Sequence, residues 1–110
     1  MPLIPSTYKP KGPFKNSHFN TIFAAKIRRV YGVKQKRERL VLSDEDFIDI
    51  DWSFPQNTKG NSKIVLLFHG LEGTAKRTYM LGTIKQLLDN GYLCAGVNLR
   101  SCSGEINSKL

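Results

Sequence analysis

The sequence has 110 residues, enough for one domain, and its 40% apolar and 24% charged residues are typical of soluble globular proteins. No apolar run approaches the ~20 residues that a membrane-spanning helix needs, and the N-terminus lacks the pattern of a signal peptide. We therefore expect a cytoplasmic protein whose two cysteines, Cys94 and Cys102, are reduced thiols.

The net charge of +8 is concentrated near the N-terminus. Residues 1–39 contain ten of the 17 Lys and Arg residues and one of the nine acidic residues, Glu38, so this segment carries +9 and residues 40–110 carry −1. A basic run of this kind is usually a solvated face. Contact of this arm with nucleic acid or with an anionic membrane surface is the alternative interpretation.

The first elements form an arm and a short helix. Residues 1–16 hold four of the five prolines, which fix φ and lack an N–H donor, so we predict an extended arm. Ser17 is the candidate N-cap of an amphipathic helix over 18–30, which Gly32 ends. We expect three aromatic residues of this region to anchor the arm on the rest of the protein: Phe14, Phe19 and Phe23.

A β-hairpin is predicted next, with strands over 38–42 and 47–54. In its second strand Asp49 and Asp51 alternate with apolar residues, which is the pattern of a strand with one buried face. The continuous apolar run 64–68 then predicts a strand that is buried on both faces of a parallel sheet.

A βαβ unit completes the predicted organisation. After the strand at 64–68, we predict a helix over about 77–90 that ends at Asn90-Gly91 and buries one face, formed by Met80, Ile84, Leu87 and Leu88. A further strand covers 92–99. We expect two regions, the basic Pro-rich arm with its helix (1–37) and the first part of an α/β domain (38–110). Because a hairpin and one βαβ unit leave a sheet edge and sheet faces uncovered, we expect this chain to be a fragment, inactive and poorly folded alone.

Two loops follow the carboxyl ends of the parallel strands, where open α/β sheets bind ligands. In the first loop, 69–75, glycines permit a sharp turn whose backbone N–H groups point into a cleft. Such donors stabilise the oxyanion that forms when a nucleophile attacks a carbonyl carbon. We predict that the Leu71 N–H is this donor and that His69 braces the loop. A purely structural turn is the alternative.

Other catalytic and cofactor motifs do not occur in the sequence. It contains no Gly-x-Ser-x-Gly, no Gly-x-Gly-x-x-Gly and no P-loop lysine at the required spacing. The two histidines, His18 and His69, do not have metal-ligand spacing. Cys102 lies in the second loop but has no visible partner base. We therefore predict no metal and no cofactor.

Four segments together resemble the YheT-like branch of the α/β-hydrolases. They are residues 68–73 (FHGLEG), 99–105 (LRSCSGE), 16–21 (NSHFNT) and 46–52 (DFIDIDW). Ser17, Asn20 and Ser101 depart from the family pattern. The side chain at 101 replaces the usual glycine and restricts how the second loop bends.

The resemblance implies the N-terminal part of an α/β-hydrolase fold, a hairpin followed by a βαβ unit. It also implies a serine hydrolase that acts on small carboxylic esters through an acyl-enzyme, without a cofactor. Related branches act as acyltransferases, and a non-catalytic binding or scaffold domain is the alternative; nucleic acid is not an expected partner. The triad residues would lie outside these 110 residues. The site residues it implies are His69, Gly70, Leu71, Glu72 and Gly73 in the oxyanion loop and Arg100, Ser103, Gly104 and Glu105 in a substrate-cleft loop.

Overall fold

A computed structural model describes residues 5–57 and 63–109 of the chain. Within these residues it contains two α-helices and four β-strands, which we number in chain order. They are α1 (Ser17–Ile22), β1 (Lys36–Val41), β2 (Phe47–Ser53), β3 (Ile64–Phe68), α2 (Thr78–Asp89) and β4 (Leu93–Asn98). A 3₁₀ turn at Gly12–Lys15 precedes α1, and a π-helical turn at Phe23–Ile27 follows it.

The four strands form one mixed sheet in the order β1-β2-β4-β3. The hairpin strands β1 and β2 are antiparallel, β2 is also antiparallel to β4, and β3 is parallel to β4. The predicted hairpin and the parallel β3–α2–β4 unit are thus confirmed, and so is the α/β fold class. No helix in residues 5–57 or 63–109 is long and apolar enough to cross a membrane.

The core lies between α2 and the centre of the sheet. Met80 and Ile84 face inward from α2, where they are 2% and 0% exposed, and Cys94 of β4 is also fully buried. The predicted inward face of the helix is confirmed for these two residues, whereas Leu87 and Leu88 are half-buried. Neither cysteine forms a disulfide.

The prediction that β3 is buried on both faces is wrong. Ile64, Leu66 and Phe68 are 58–60% exposed, while the alternate residues Val65 and Leu67 are half-buried. The strand lies at the sheet edge. Its three exposed side chains project from a face against which, in the described part of the chain, no helix packs.

The arm and the first helix also differ from expectation. The arm is not extended throughout, because Pro13 lies in the first turn of the 3₁₀ segment, where the lack of an N–H costs nothing. The N-cap of α1 is Asn16 and not Ser17, since the Asn16 side chain accepts the Phe19 N–H at 3.1 Å. The helical conformation ends at Arg28, before Gly32.

The residues that follow this end contact α2. Side-chain atoms of Arg28 and Val30 lie within 4 Å of the position that a Cβ on Gly82 would occupy. The rings of the three arm phenylalanines pack on one another, with centroids 5.0–6.0 Å apart. Their anchoring role and the two-region division stay predictions.

Candidate active site

The first candidate loop follows β3 and begins at His69, whose side chain is hydrogen-bonded to the backbone on both sides. The imidazole is 6% exposed, and its Nε2 accepts the Leu99 N–H at 3.1 Å. Because Nε2 is an acceptor here, the proton of the neutral ring is on Nδ1, which lies 2.8 Å from the Gly70 carbonyl oxygen and donates to it. The side chain thus connects the backbone of Leu99 to that of Gly70, which is the geometry expected of a residue that braces the loop.

The turn that follows His69 is closed by short contacts. The Gly73 N–H donates to the Gly70 carbonyl at 2.9 Å, and the Gly70 N–H donates to the Tyr79 hydroxyl of α2 at 2.8 Å. Glu72 adopts a φ of +53°. A Cβ at Gly73 would lie 2.8 Å from the Gly70 oxygen and 3.0 Å from the His69 ring. Only glycine therefore fits at position 73.

Leu71 lies at the tip of this turn. Its side chain is 100% exposed, and among the described residues no hydrogen bond uses its N–H. The predicted donor is thus unpaired within this part of the chain and lies just beyond the carboxyl end of a parallel strand. Its role as an oxyanion donor stays a prediction.

The far end of the loop is held by a residue that sequence reasoning missed. Asn98, at the end of β4, is fully buried and accepts the Ala75 N–H at 2.9 Å. Ala75 packs on Gly96 so closely that a Cβ at position 96 would be 2.8 Å from the Ala75 Cβ. A polar residue that ends an apolar strand was the available signal for Asn98.

The Asn98 amide also reaches the hairpin. Its Nδ2 donates to the Asp49 carbonyl at 3.1 Å and to Asp51 Oδ2 at 2.9 Å. Both aspartates are 1% exposed. The alternating pattern suggests that the buried face of β2 is its apolar face. In the structure the face with Asp49 and Asp51 is the more buried one, and on the opposite face Ile50 is also buried.

Two arginines of β1 compensate these buried charges. Arg39 binds both carboxylate oxygens of Asp49 at 2.8 and 2.9 Å, and Arg37 binds both oxygens of Asp51 at 2.9 Å. Arg39 holds the pKa of Asp49 below its ordinary value. Burial alone would raise the pKa of Asp51, but hydrogen bonds from Arg37 and Asn98 outweigh it and keep that pKa low.

The second candidate loop, 100–105, contacts the hairpin. Arg100 pairs with Asp44 in the hairpin turn. The Ser103 carbonyl accepts Arg37 Nη1 at 2.8 Å, and Glu105 pairs with Arg39 at 2.9 Å, while Gly104 turns the chain with a φ of +102°. The structure thus joins the two loops through His69 and Leu99. The side chains and backbone of the second loop contact the hairpin of β1 and β2. That Arg100, Ser103, Gly104 and Glu105 line a substrate cleft stays a prediction.

Ser101 adopts the conformation that a glycine would have taken. Its φ is +59°, which is uncommon for residues with a Cβ. The Ser101 N–H donates to the Asn107 side chain, and the Asn107 N–H donates to Ser101 Oγ at 3.1 Å. These reciprocal hydrogen bonds hold Ser101 in the left-handed conformation, which glycine adopts without steric cost.

The chain is similar to curated proteins of a bacterium and of two mammals. It is 33% identical over 98 residues to the Escherichia coli (strain K12) protein named "Putative esterase YheT", a match that covers 89% of this chain and 29% of that protein. It is 28% identical over 109 residues to the protein named "Phospholipase ABHD3" of Mus musculus and of Homo sapiens. These matches cover 94% of this chain and 26% and 27% of the mouse and human proteins.

No protein-family model matches the chain, and no solved structure matches it. The chain spans 26–29% of the length of the curated relatives. Those relatives are α/β-hydrolases, and the similarity lies in their N-terminal portions. By this homology and by its sheet topology, the chain is an α/β-hydrolase homologue that corresponds to the N-terminal portion of proteins such as YheT and ABHD3.

Proposed function

We propose that this chain supplies the oxyanion-hole loop of a serine hydrolase that acts on carboxylic esters. The observation that carries the proposal is the Leu71 N–H, which has no partner among the described residues and lies in a hydrogen-bonded turn at the carboxyl end of β3. The names of the relatives, an esterase and a phospholipase, support hydrolysis of an ester as the reaction class.

The proposed mechanism uses the rigidity of the loop. When a serine hydroxyl attacks the ester carbonyl, negative charge develops on the carbonyl oxygen, and the Leu71 N–H donates a hydrogen bond to it. A second donor would be the N–H after the serine. The loop is held at both ends, by His69 near its start and by Asn98 at Ala75. The donor is therefore in position before the reaction and needs little reorganisation during it.

The serine and its acid and histidine partners are assigned to a segment outside the 110 residues, because the nucleophile motif does not occur within them. The first step of the test is therefore to read the gene past the Leu110 codon and to express the longer product. The assay is turnover of p-nitrophenyl acetate and p-nitrophenyl butyrate. A reading frame that stops after Leu110, or a product without turnover, would favour a non-catalytic binding or scaffold domain.

A pair of variants at Leu71 tests the role of its N–H. Leu71→Pro removes the N–H donor, whereas Leu71→Ala keeps it, and the exposed side chain makes both changes mild for packing. We expect Leu71→Ala to retain activity and Leu71→Pro to lose about 10²–10³ in kcat with little change in KM. Equal activity of the two variants, with unchanged melting temperatures, would refute the assignment.

A further inference from the structure

The basic arm, which we define as residues 5–35, presents positive charge without any negative charge. It contains no Asp or Glu. Its seven basic side chains are all exposed: Lys9, Lys11, Lys15, Lys26, Arg28, Arg29 and Lys34. A segment of this composition attracts an anionic surface.

Apolar side chains are exposed among these charges. Tyr8 and Tyr31 are 72% and 70% exposed, and Ile22 and Ile27 are 54% and 52% exposed. The three phenylalanines of the arm pack on one another, whereas both isoleucines are more than half exposed. The arm therefore offers aliphatic and aromatic groups to the same surroundings as its lysines.

We infer that the basic arm docks on an anionic phospholipid membrane. Lysine and arginine bind the negative headgroups, tyrosine favours the interface between headgroup and acyl chain, and isoleucine enters the outer acyl region. Exposed isoleucines distinguish this surface from one for nucleic acid, where recognition uses cations and stacked aromatic rings. The inference is independent of the proposed hydrolase activity, since it concerns binding by the arm alone.

The expected binding is reversible and strongly dependent on salt. Each Lys or Arg close to an anionic membrane strengthens partitioning about fivefold. Salt weakens this attraction because the Debye length falls from ~30 Å at ~0.01 M to ~3 Å at ~1 M. The apolar contribution of Ile22 and Ile27 is not screened, so a weaker residual binding is expected at high salt.

Vesicle sedimentation of the longer gene product that contains this chain tests the inference. We expect co-sedimentation with vesicles of three parts phosphatidylcholine to one part phosphatidylglycerol at low salt, and little with phosphatidylcholine alone. Charge reversal at Lys11 and Lys15 to Glu should weaken the binding at least about tenfold. The matched control reverses Lys63 and Lys85, which are exposed outside the arm, and should bind within about twofold of the parent. Ile22→Ser with Ile27→Ser should remove the residual binding at high salt.

Several results would overturn the inference. They are equal binding to both kinds of vesicle, no binding at low salt, and equal loss in the arm and control charge reversals. Tighter binding of the arm to a duplex oligonucleotide than to anionic vesicles would assign it to nucleic acid instead. Circular dichroism of each variant establishes that a loss of binding is not a loss of structure.

Discussion

The backbone N–H of Leu99 donates to Nε2 of His69, so the ends of the two parallel strands are joined by one side chain at 3.1 Å. His69 follows β3 and Leu99 follows β4. The imidazole is buried and its other nitrogen bonds the Gly70 carbonyl, so one side chain is hydrogen-bonded to the backbone of both loops. The turn after β3 is therefore positioned by a hydrogen bond from the residue after β4 as well as by its own strand.

Replacing His69 tests this link. His69→Ala leaves the Leu99 N–H without its acceptor, and we expect a loss of about 1–3 kcal/mol in the free energy of unfolding. Hydrogen exchange at the Leu99 amide, followed by NMR, should become faster. His69→Gln keeps an acceptor oxygen near the Nε2 position and serves as the control. Equal exchange rates in the parent and His69→Ala would contradict the bracing role.

The two glycines of the turn should respond differently to a methyl group. A Cβ at Gly73 would meet the Gly70 oxygen at 2.8 Å, whereas a Cβ at Gly70 would have the Tyr79 hydroxyl at 3.8 Å, an ordinary contact. We therefore expect Gly73→Ala to destabilise the protein by about 1–3 kcal/mol and Gly70→Ala by less than about 1 kcal/mol. Urea unfolding measures the free energy of unfolding of both variants. Similar losses would contradict the prediction, because they would mean that the turn shifts to accommodate a Cβ at position 73.

Acid should destabilise the protein through its buried aspartates. The folded pKa values of Asp49 and Asp51 lie below their ordinary value of 3.8, so the unfolded chain takes up protons first as the pH falls. This contribution to stability is complete above about pH 5 and is lost as the pH falls below about 4. Urea unfolding at several pH values across that range gives the slope of the free energy of unfolding against pH. Arg39→Gln should lower the stability at neutral pH and flatten the slope, and a slope unaffected by that change would exclude the pair as its source.

The two thiols should differ in reactivity. Cys94 is fully buried, and burial raises the pKa of its thiol above 9.0, whereas Cys102 is partly exposed. We expect Ellman's reagent to titrate the Cys102 thiol in the folded chain and both thiols in denaturant. Cys102→Ser should abolish the native reaction and Cys94→Ala should preserve it. Rapid reaction of both thiols without denaturant would mean that the core between α2 and β4 is open.

Local patterns in the sequence predict most of the fold. The β3–α2–β4 unit follows from patterns among neighbouring residues. These are the apolar run at 64–68, the helical spacing of Met80 and Ile84, and the glycine after Asn90. The exposed face of β3 did not follow, because whether a strand face is covered depends on distant packing. The end of the helical segment before Arg28 was also missed, because the contacts of Arg28 and Val30 with α2 join residues that are distant in the sequence.

The site divides in the same way. The sequence locates His69 and Leu71 in the loop after β3, because a strand end and a glycine turn are local features. It did not identify Tyr79 or Asn98, which hold that loop from α2 and β4. The sequence also did not predict that Asp49 and Asp51 are buried, because that depends on residues of another strand. Their arginine partners lie on the neighbouring strand, where only the pairing register brings the charges together.

The contact between Ala75 and Gly96 restricts how this sequence can diverge. A Cβ on Gly96 would lie 2.8 Å from the Ala75 Cβ, so the two positions share room for a single methyl group. Alanine at position 96 therefore requires glycine at position 75. Substitutions in the loop after β3 and in β4 are therefore not independent at these positions, and exchange of the two residues as a pair is the change that keeps the shared volume constant.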